Sequence, residues 1–123
     1  MKKDEIVNEL YESAYNNGLI PTLHAVFGKR VKVRVPFSQK VCDTEIDDFE
    51  FSVRARNSLR RAGLHTVGDI IDSIAKGDLI IIRNLGDKTK SEIQTKLLSY
   101  GYAKLTETEK KRFFYDVVNN NCG

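Results

Sequence analysis

Hydrophobic positions near the start of the chain recur at three- and four-residue spacing, which predicts an amphipathic helix over residues 4–17. Acidic residues fill the first turn of this predicted helix, where the helix dipole favours negative charge. Gly18 is its expected end, because the following Leu19-Ile20-Pro21 breaks the spacing. The apolar stripe consists of Ile6, Val7, Leu10, Tyr11 and Ala14.

From Arg30 to Val35 the pattern changes to strict alternation, with valines at every second position and basic residues between them. This alternation predicts a half-buried strand with a basic outer face, which Pro36 ends. Such a face suits nucleic acid or an acidic partner, although a charged edge strand more often only discourages aggregation. Pairing of this strand with a second copy would give a homodimer, which the sequence leaves open.

The second half of the chain has the pattern of several short helices separated by turns. Ser52 can cap a helix that Gly63 ends. Thr66 and Asp69 have the spacing of a capping box for a helix that reaches about residue 75.

The remaining apolar segments predict three more helices. Residues 79–82 are expected to form a short helix, followed by a hairpin and a longer helix over residues 87–100 that Gly101 stops. A second capping box at residues 106–109 precedes a helix with an apolar side, and residues 119–123 are expected to be a frayed polar tail. That apolar side consists of Phe113, Phe114, Val117 and Val118.

Composition narrows the class of protein. With 123 residues, 41% hydrophobic and 30% charged, the chain has the make-up of a small soluble domain. No apolar run approaches the roughly 20 residues of a membrane span, and the amino end lacks a secretion signal, so we expect a cytoplasmic protein. Neither the two histidines nor Cys42 and Cys122 have metal-ligand spacing, so no metal or cofactor is expected. A disulfide between these cysteines stays open, although two cytosolic thiols are more often reduced.

Charge is unevenly distributed along the sequence. Residues 42–51 contain five acids and no base, and basic segments lie on both sides. This block indicates either more than one charged partner surface or a solvated linker.

The segment around Gly86 has the pattern of a phosphate-binding helix start. Glycine tolerates the positive φ of a tight hairpin and allows close approach of another backbone. Lys88, Thr89 and Lys90 fall in the first turn of the next predicted helix, where the N–H groups and the dipole favour anions. A plain turn with surface lysines explains this segment equally well.

Four motifs in one order give the sequence a resemblance to a known family. They are residues 46–54, Asn57-Ser58-Leu59, Gly68-Asp69-Ile70 and residues 84–93, with the pattern Asn-Leu-Gly-x-Lys-Thr-x-x-Glu-Ile. The stretch from Ile46 to Ala103 resembles the C-terminal domain of the bacterial RNA polymerase alpha subunit. Residues 1–41 and the segment after Leu105 have no counterpart in it.

The resemblance implies a compact helical domain with a helix-hairpin-helix that binds the minor groove of A·T-rich double-stranded DNA. By position, the implied DNA-binding residues are Arg54, Asn57, Ser58, Gly86, Lys88, Thr89 and Glu92. Arginine is attracted to the narrow, negative minor groove of A-tracts, which agrees with this assignment. Asp48 and Glu50 occupy the positions where the family contacts the sigma factor.

Several departures limit the carry-over. The polymerase-assembling amino-terminal domain is missing, so we expect something other than a complete alpha subunit. Asp87 adds negative charge to the hairpin, and Phe51 is expected to offer a large apolar side chain beside Arg54. Glu92 has an alternative role, since it could orient Arg54 or simply pair with Lys88 or Lys96 on the helix surface. The first helix is also more basic than the recognition requires, through Arg56, Arg60 and Arg61.

The sequence therefore predicts a mainly α fold, a compact bundle of short helices with a helix-hairpin-helix after an N-terminal helix and a short basic strand. Its predicted parts are an N-terminal appendage (1–41), an acidic lead-in (42–51), the helix-hairpin-helix domain (52–118) and a tail (119–123). The predicted function is non-enzymatic DNA binding in transcription, with RNA polymerase, sigma factor or a regulator as candidate protein partners. The alternatives are a protein-docking adaptor with little DNA affinity and an accessory of a DNA repair complex.

Overall fold

The computed structural model describes residues 2–28, 30–34, 37–74, 79–83 and 88–122, and for residues 79–83 and 122 it describes the backbone only. The described part of the protein is mainly helical, as the sequence predicts. Its elements are α1 (Lys3–Asn17), α2 (Leu19–Phe27), β1 (Arg30–Arg34), α3 (Gln39–Cys42), a 3₁₀ turn (Ile46–Asp48), α4 (Val53–Arg61), α5 (Val67–Ile74), β2 (Leu79–Arg83), α6 (Lys88–Ala103) and α7 (Glu107–Cys122).

The helix starts predicted from capping residues are confirmed. The Ser52 hydroxyl accepts a hydrogen bond from the N–H of Ala55 at 3.2 Å and caps α4. Before α5, Thr66 and Asp69 exchange hydrogen bonds in both directions, which is the reciprocal geometry of a capping box. The predicted box at residues 106–109 makes the same pair of bonds before α7.

The expected helix at residues 79–82 is wrong, because this segment is strand β2. It pairs antiparallel with β1, in a register that runs from Arg30 opposite Arg83 to Arg34 opposite Leu79. Three consecutive isoleucines favour a strand, since β-branched side chains are restricted in a helix and pack well on a sheet. Residues 79–83 are therefore the second strand of a two-stranded sheet, and the predicted hairpin after them lies outside the described residues.

The predicted end of α1 at Gly18 is confirmed, whereas the segment after it is helical and the predicted end at Gly101 is wrong. Leu19-Ile20-Pro21 begins α2, because a proline in the first turn lacks an N–H that would have no intrahelical acceptor anyway. The separation from α1 comes from Gly18, whose φ of +96° no helix accommodates. Helix α6 continues through Gly101, which is buried, to Ala103. The burial of neighbouring side chains outweighs the modest cost of a glycine inside a helix.

The predicted polar tail is helical as far as Cys122. Asn119 accepts a hydrogen bond from the Lys3 ammonium, and Asn121 bonds to the backbone of Lys32. These contacts hold the end of α7 against elements from the start of the protein, so its last turn is not frayed.

The buried side chains form two clusters. The first cluster unites α1, α2, β1 and α7, with one residue from α6: it comprises Val7, Leu10, Ala14, Leu19, Leu23, Val31, Val33, Leu98, Phe113, Phe114, Val117 and Val118. The second cluster lies within the segment that resembles the polymerase domain: it comprises Ile46, Phe51, Ala55, Leu59, Val67, Ile70, Ile93 and Leu97.

The two clusters are adjacent. Phe37 and Ile74 pack against both, and the neighbouring residues Leu97 and Leu98 of α6 belong to different clusters. The N-terminal elements thus share a core with α7, and the domain boundaries given by the sequence stay a prediction. Among the described residues, no helix has the length and apolar character needed to cross a membrane.

Candidate nucleic-acid interface

Helix α4 presents three of the predicted DNA-binding residues on one side. Ala55 and Leu59 are buried one turn apart and fix the inner face of the helix. Arg54 and Asn57 are exposed and Ser58 is half-buried. Because positions i, i+3 and i+4 lie on the same helix face, these three side chains form one outward surface.

The start of α6 presents two more of the predicted residues. Lys88 is exposed and Thr89 is half-buried in the first turn, while Ile93 and Leu97 bury the opposite side. The positive end of the helix dipole reinforces the charge of Lys88 at this point. Gly86, predicted as a backbone contact, and Asp87 lie outside the described residues.

Glu92 joins these two helix starts. One carboxylate oxygen accepts the Ser52 N–H at 2.8 Å, and the other accepts the Ser52 hydroxyl at 2.7 Å. Ser52 is also the cap of α4, so a single carboxylate on α6 holds the first turn of the helix that carries Arg54. The bonds to Ser52 give Glu92 a structural role at the start of α4, and the DNA contact that the resemblance implies for Glu92 stays a prediction.

The ionised state of Glu92 is favoured by the same contacts. Burial raises its pKa, but the hydrogen bonds from Ser52 and the nearby Lys96 ammonium outweigh this effect. The net result is a pKa below the ordinary value, so the carboxylate is charged at neutral pH. Of the two lysines considered from the sequence, Lys96 makes an ion pair with Glu92 at 3.5 Å.

The additional arginines of α4 serve different purposes. Arg60 pairs with Asp47 and ties the helix to the 3₁₀ turn. The Arg61 Nε–H donates to the carbonyl oxygen of Asn57 at 3.4 Å. Arg56 is half-buried, and its Nε atom has no hydrogen-bond partner within the described structure. Arg60 thus acts as a structural residue that ties α4 to the rest of the fold.

The expectation that Phe51 lies beside Arg54 at the surface is wrong. Its side chain is only 6% exposed and belongs to the second cluster. Its ring lies 4.8 Å from that of Phe49, centre to centre, and the apolar surface is thereby removed from water. The exposed apolar residue beside Arg54 is instead Val53, with 63% of its surface accessible. The sequence predicts Ser52 only as a helix cap, and neither its contact with Glu92 nor the exposure of Val53 follows from the motif.

The acidic lead-in is an ordered surface. Ile46 is 2% exposed, and Glu45 forms a β-bridge with Thr66, so the segment is anchored at its start. Asp48 and Glu50 are exposed, and the Lys96 ammonium donates to the Glu50 carbonyl oxygen. The backbone of the block therefore has defined contacts with the rest of the fold, while its acidic side chains stay exposed to solvent.

Asp48 and Glu50 line a groove of about 840 Å³. The groove runs between α2 and α6, with the edge-to-face pair of Phe49 and Tyr100 on its wall. Its other lining residues include Ile20 and Pro21 of α2. An apolar surface with acidic residues at its border is suited to a basic protein segment.

A short helix with exposed arginine and asparagine is held beside the basic start of a second helix, and such a basic surface belongs to the class that suits a phosphate backbone. Comparison with protein families specifies the class further. The family of the bacterial RNA polymerase alpha subunit's C-terminal domain matches residues 36–99, and this protein belongs to that family. The family is a transcription-associated, DNA-binding domain without a catalytic role, which confirms the resemblance drawn from the motifs.

Curated relatives agree with this assignment. The DNA-directed RNA polymerase subunit alpha of Carboxydothermus hydrogenoformans is 39% identical over 71 residues, which are 58% of this protein and 22% of that subunit. The subunits alpha of Corynebacterium glutamicum and Acidothermus cellulolyticus are 45% and 43% identical over 56 residues, which are 46% of this protein and 16% of each subunit. The matched region thus spans about a fifth or less of the length of these relatives. No solved structure gives a significant match.

Proposed function

We propose that this protein binds the minor groove of A·T-rich double-stranded DNA and acts in bacterial transcription. The observation that carries the proposal is the pair of hydrogen bonds from Ser52 to Glu92, which joins the starts of α4 and α6. Arg54 lies two residues after Ser52, a rise of about 3 Å along α4. Lys88 lies one turn before Glu92, about 6 Å along α6. One short segment of duplex can therefore contact both residues.

Each residue has a defined part in the proposed contact. Arg54 enters the groove, which is narrow and strongly negative in A-tracts. Asn57 donates to the acceptor atoms that A·T pairs expose there. Lys88 and Thr89 hold phosphates at the groove edge, together with the Gly86 backbone, and Ser58 supports the same surface.

The test is equilibrium binding by fluorescence anisotropy to two labelled duplexes, one with phased A-tracts and one rich in G·C. We expect wild type to prefer the A-tract duplex, with affinity that falls steeply as salt rises. Arg54→Ala should weaken A-tract binding by about 1–3 kcal/mol, or roughly 5- to 150-fold, and abolish the preference. Arg60→Ala is the matched control, because it removes the same charge from the same helix at a residue that pairs with Asp47.

Equal and weak binding of wild type to both duplexes would contradict the proposal. It would favour the second candidate function, a docking adaptor that uses the groove bordered by Asp48 and Glu50. The partners of that groove would be basic surfaces of RNA polymerase, sigma factor or a regulator. Preference for branched or single-stranded DNA, without A·T preference, would instead favour a repair accessory. The proposal includes a cytoplasmic location, with which all of these functions are consistent.

A further inference from the structure

Strand β1 presents a basic face whose orientation is fixed by burial. Val31 and Val33 are completely buried in the first cluster, where β1 contacts α7. Arg30, Lys32 and Arg34 are exposed on the opposite side. Because alternate residues of a strand face opposite ways, the buried valines hold these basic residues in one outward row. We call Arg30, Lys32 and Arg34 the basic face.

The outer edge of β1 is closed by a side chain. The Lys32 N–H donates to Asn121 Oδ1 at 3.0 Å, and Asn121 Nδ2 donates to the Lys32 carbonyl oxygen at 2.9 Å. The other edge is paired with β2. An additional strand therefore cannot pair at Lys32 without displacing Asn121, and the surface left for a partner is the basic face.

The pairing of β1 with β2 limits the distance between the basic face and the proposed DNA site. Arg83, the last residue of β2, is the register partner of Arg30. Lys88 follows Arg83 by five residues, and five residues of fully extended backbone span at most about 18 Å. Neighbouring strands are about 4.8 Å apart, so Arg30 is within roughly 23 Å of the start of α6. One helical turn of DNA is longer, at about 34 Å.

We propose that the basic face binds the phosphate backbone of the same duplex, beside the minor-groove site; this inference rests on the proposed function. Side chains two residues apart on a strand are separated by about 6.6 Å. Phosphates on one DNA strand rise by about 3.4 Å each along the axis while the strand winds around it, so neighbouring phosphates are farther apart than this rise, at a separation comparable with the spacing of the row. Arg30 and Lys32 carry most of the contact, since Arg34 lines a small pocket with Glu109 and Asp116.

The test compares the double variant R30Q/K32Q with wild type on the A-tract and G·C-rich duplexes across a salt series. Each phosphate contact contributes about 0.9 to the slope of log affinity against log salt, so the slope should fall by about 2. Affinity for both duplexes should fall by the same factor, because phosphates carry no sequence information. The A-tract preference should be unchanged, in contrast to Arg54→Ala.

The matched control is K40Q/K104Q, which removes the same charge from exposed lysines of α3 and the α6–α7 corner. It should leave the salt slope within experimental error of wild type. A second readout is duplex length: extending an A-tract duplex by one helical turn should raise the affinity of wild type more than that of R30Q/K32Q. Thermal unfolding followed by circular dichroism checks that each variant is folded.

The outcomes separate the two proposals. If wild type prefers the A-tract duplex and R30Q/K32Q keeps the wild-type slope, the basic face does not bind DNA and the proposed function still stands. In that case an acidic protein surface becomes the partner of this face. An equal change of slope in K40Q/K104Q would also overturn the inference, as a general effect of net charge. Absence of duplex binding by wild type would overturn both proposals.

Discussion

A single carboxylate has a large influence on the geometry of the proposed site. Glu92 lies on α6, yet its two oxygens bond to Ser52, the residue that caps α4. Hydrogen bonds to a charged acceptor stabilise a fold more than neutral ones do. A change at Glu92 is therefore expected to affect the position of Arg54 and the stability of the domain together.

Glu92→Gln is expected to lower the free energy of unfolding by about 2 kcal/mol at pH 7, since an amide cannot accept both bonds from Ser52. The folded-state pKa of Glu92 is lowered from 4.5, despite burial, by the bonds from Ser52 and by Lys96. Its stabilising contribution is thus present above pH 4.5 and is lost as pH falls through the folded-state pKa. The difference between wild type and Glu92→Gln should shrink over that range, as measured by urea unfolding from about pH 3 to about pH 7.

Two other carboxylates, those of Asp69 and Glu109, also have a pKa below the ordinary value. Backbone hydrogen bonds from His65 and Thr66 lower the pKa of Asp69, and a backbone hydrogen bond from Thr106 lowers that of Glu109. Both carboxylates stay charged down to acid pH, so wild type and Glu92→Gln should both lose stability there. Glu12→Gln, on the exposed surface of α1, is the control for loss of one charge and should stay within about 0.5 kcal/mol of wild type at pH 7. A constant difference between Glu92→Gln and wild type across the whole acid range would argue against the charged clamp.

At the scale of elements, local signals in the sequence were sufficient for the helix starts. Ser52, Thr66 and Thr106 each cap the helix predicted from them, because a cap needs only residues three positions apart. The strand β2 could not be found in this way. A short apolar run fits a buried helix as well as a strand, and the deciding contact is the distant partner β1.

The candidate site also has features that the sequence predicts and features that it does not. The shared face of Arg54 and Asn57 follows from their spacing on one helix, and the motif pointed to both. The contact between Ser52 and Glu92 joins residues forty positions apart, and no periodicity predicts it. Pro21 lies in the first turn of α2 for a local reason, since the N–H that proline lacks would have no intrahelical acceptor there. Gly101 lies inside α6 because neighbouring side chains are buried, and this tertiary packing is absent from local sequence.

Substitution of Asn121, which joins α7 to the edge of β1, is expected to affect both stability and association. Asn121→Ala removes both bonds to the backbone of Lys32 and a further bond to the Val117 carbonyl oxygen. We expect the free energy of unfolding to fall by about 1–2 kcal/mol. The uncovered edge of β1 should also pair between molecules, because unpaired strand edges promote association. Urea unfolding and sedimentation velocity at several protein concentrations measure the two effects.

Asn16→Ala, at an exposed position of α1, is the control for this change. It should remain within about 0.5 kcal/mol of wild type, as surface substitutions usually do. It should also give the same dependence of the sedimentation coefficient on concentration as wild type. If Asn121→Ala matches this control in both measurements, the cap on the strand edge has no energetic role.

At the scale of the whole molecule, the arrangement of the two clusters decides whether the protein unfolds as one unit. Leu97 and Leu98 are consecutive on α6 but belong to different clusters, and Phe37 and Ile74 contact both. The proposed DNA site is built on the second cluster, whereas the N-terminal elements and α7 build the first. Because α6 is common to both, we infer that loss of the first cluster removes support from the helix that carries Lys88 and Glu92.

Leu23→Ala in the first cluster tests this coupling, with Leu59→Ala in the second as its counterpart. Leu23 is 1% exposed and Leu59 is 5% exposed, so each truncation should cost about 2–5 kcal/mol. If the protein is one cooperative unit, Leu23→Ala should accelerate hydrogen exchange of α4 and α5 amides as well as those of α1 and α7. Faster exchange confined to α1, α2 and α7 would mean that the clusters unfold independently. The second cluster would then support the DNA site without the N-terminal elements, and Leu23→Ala would leave A-tract affinity at the wild-type value.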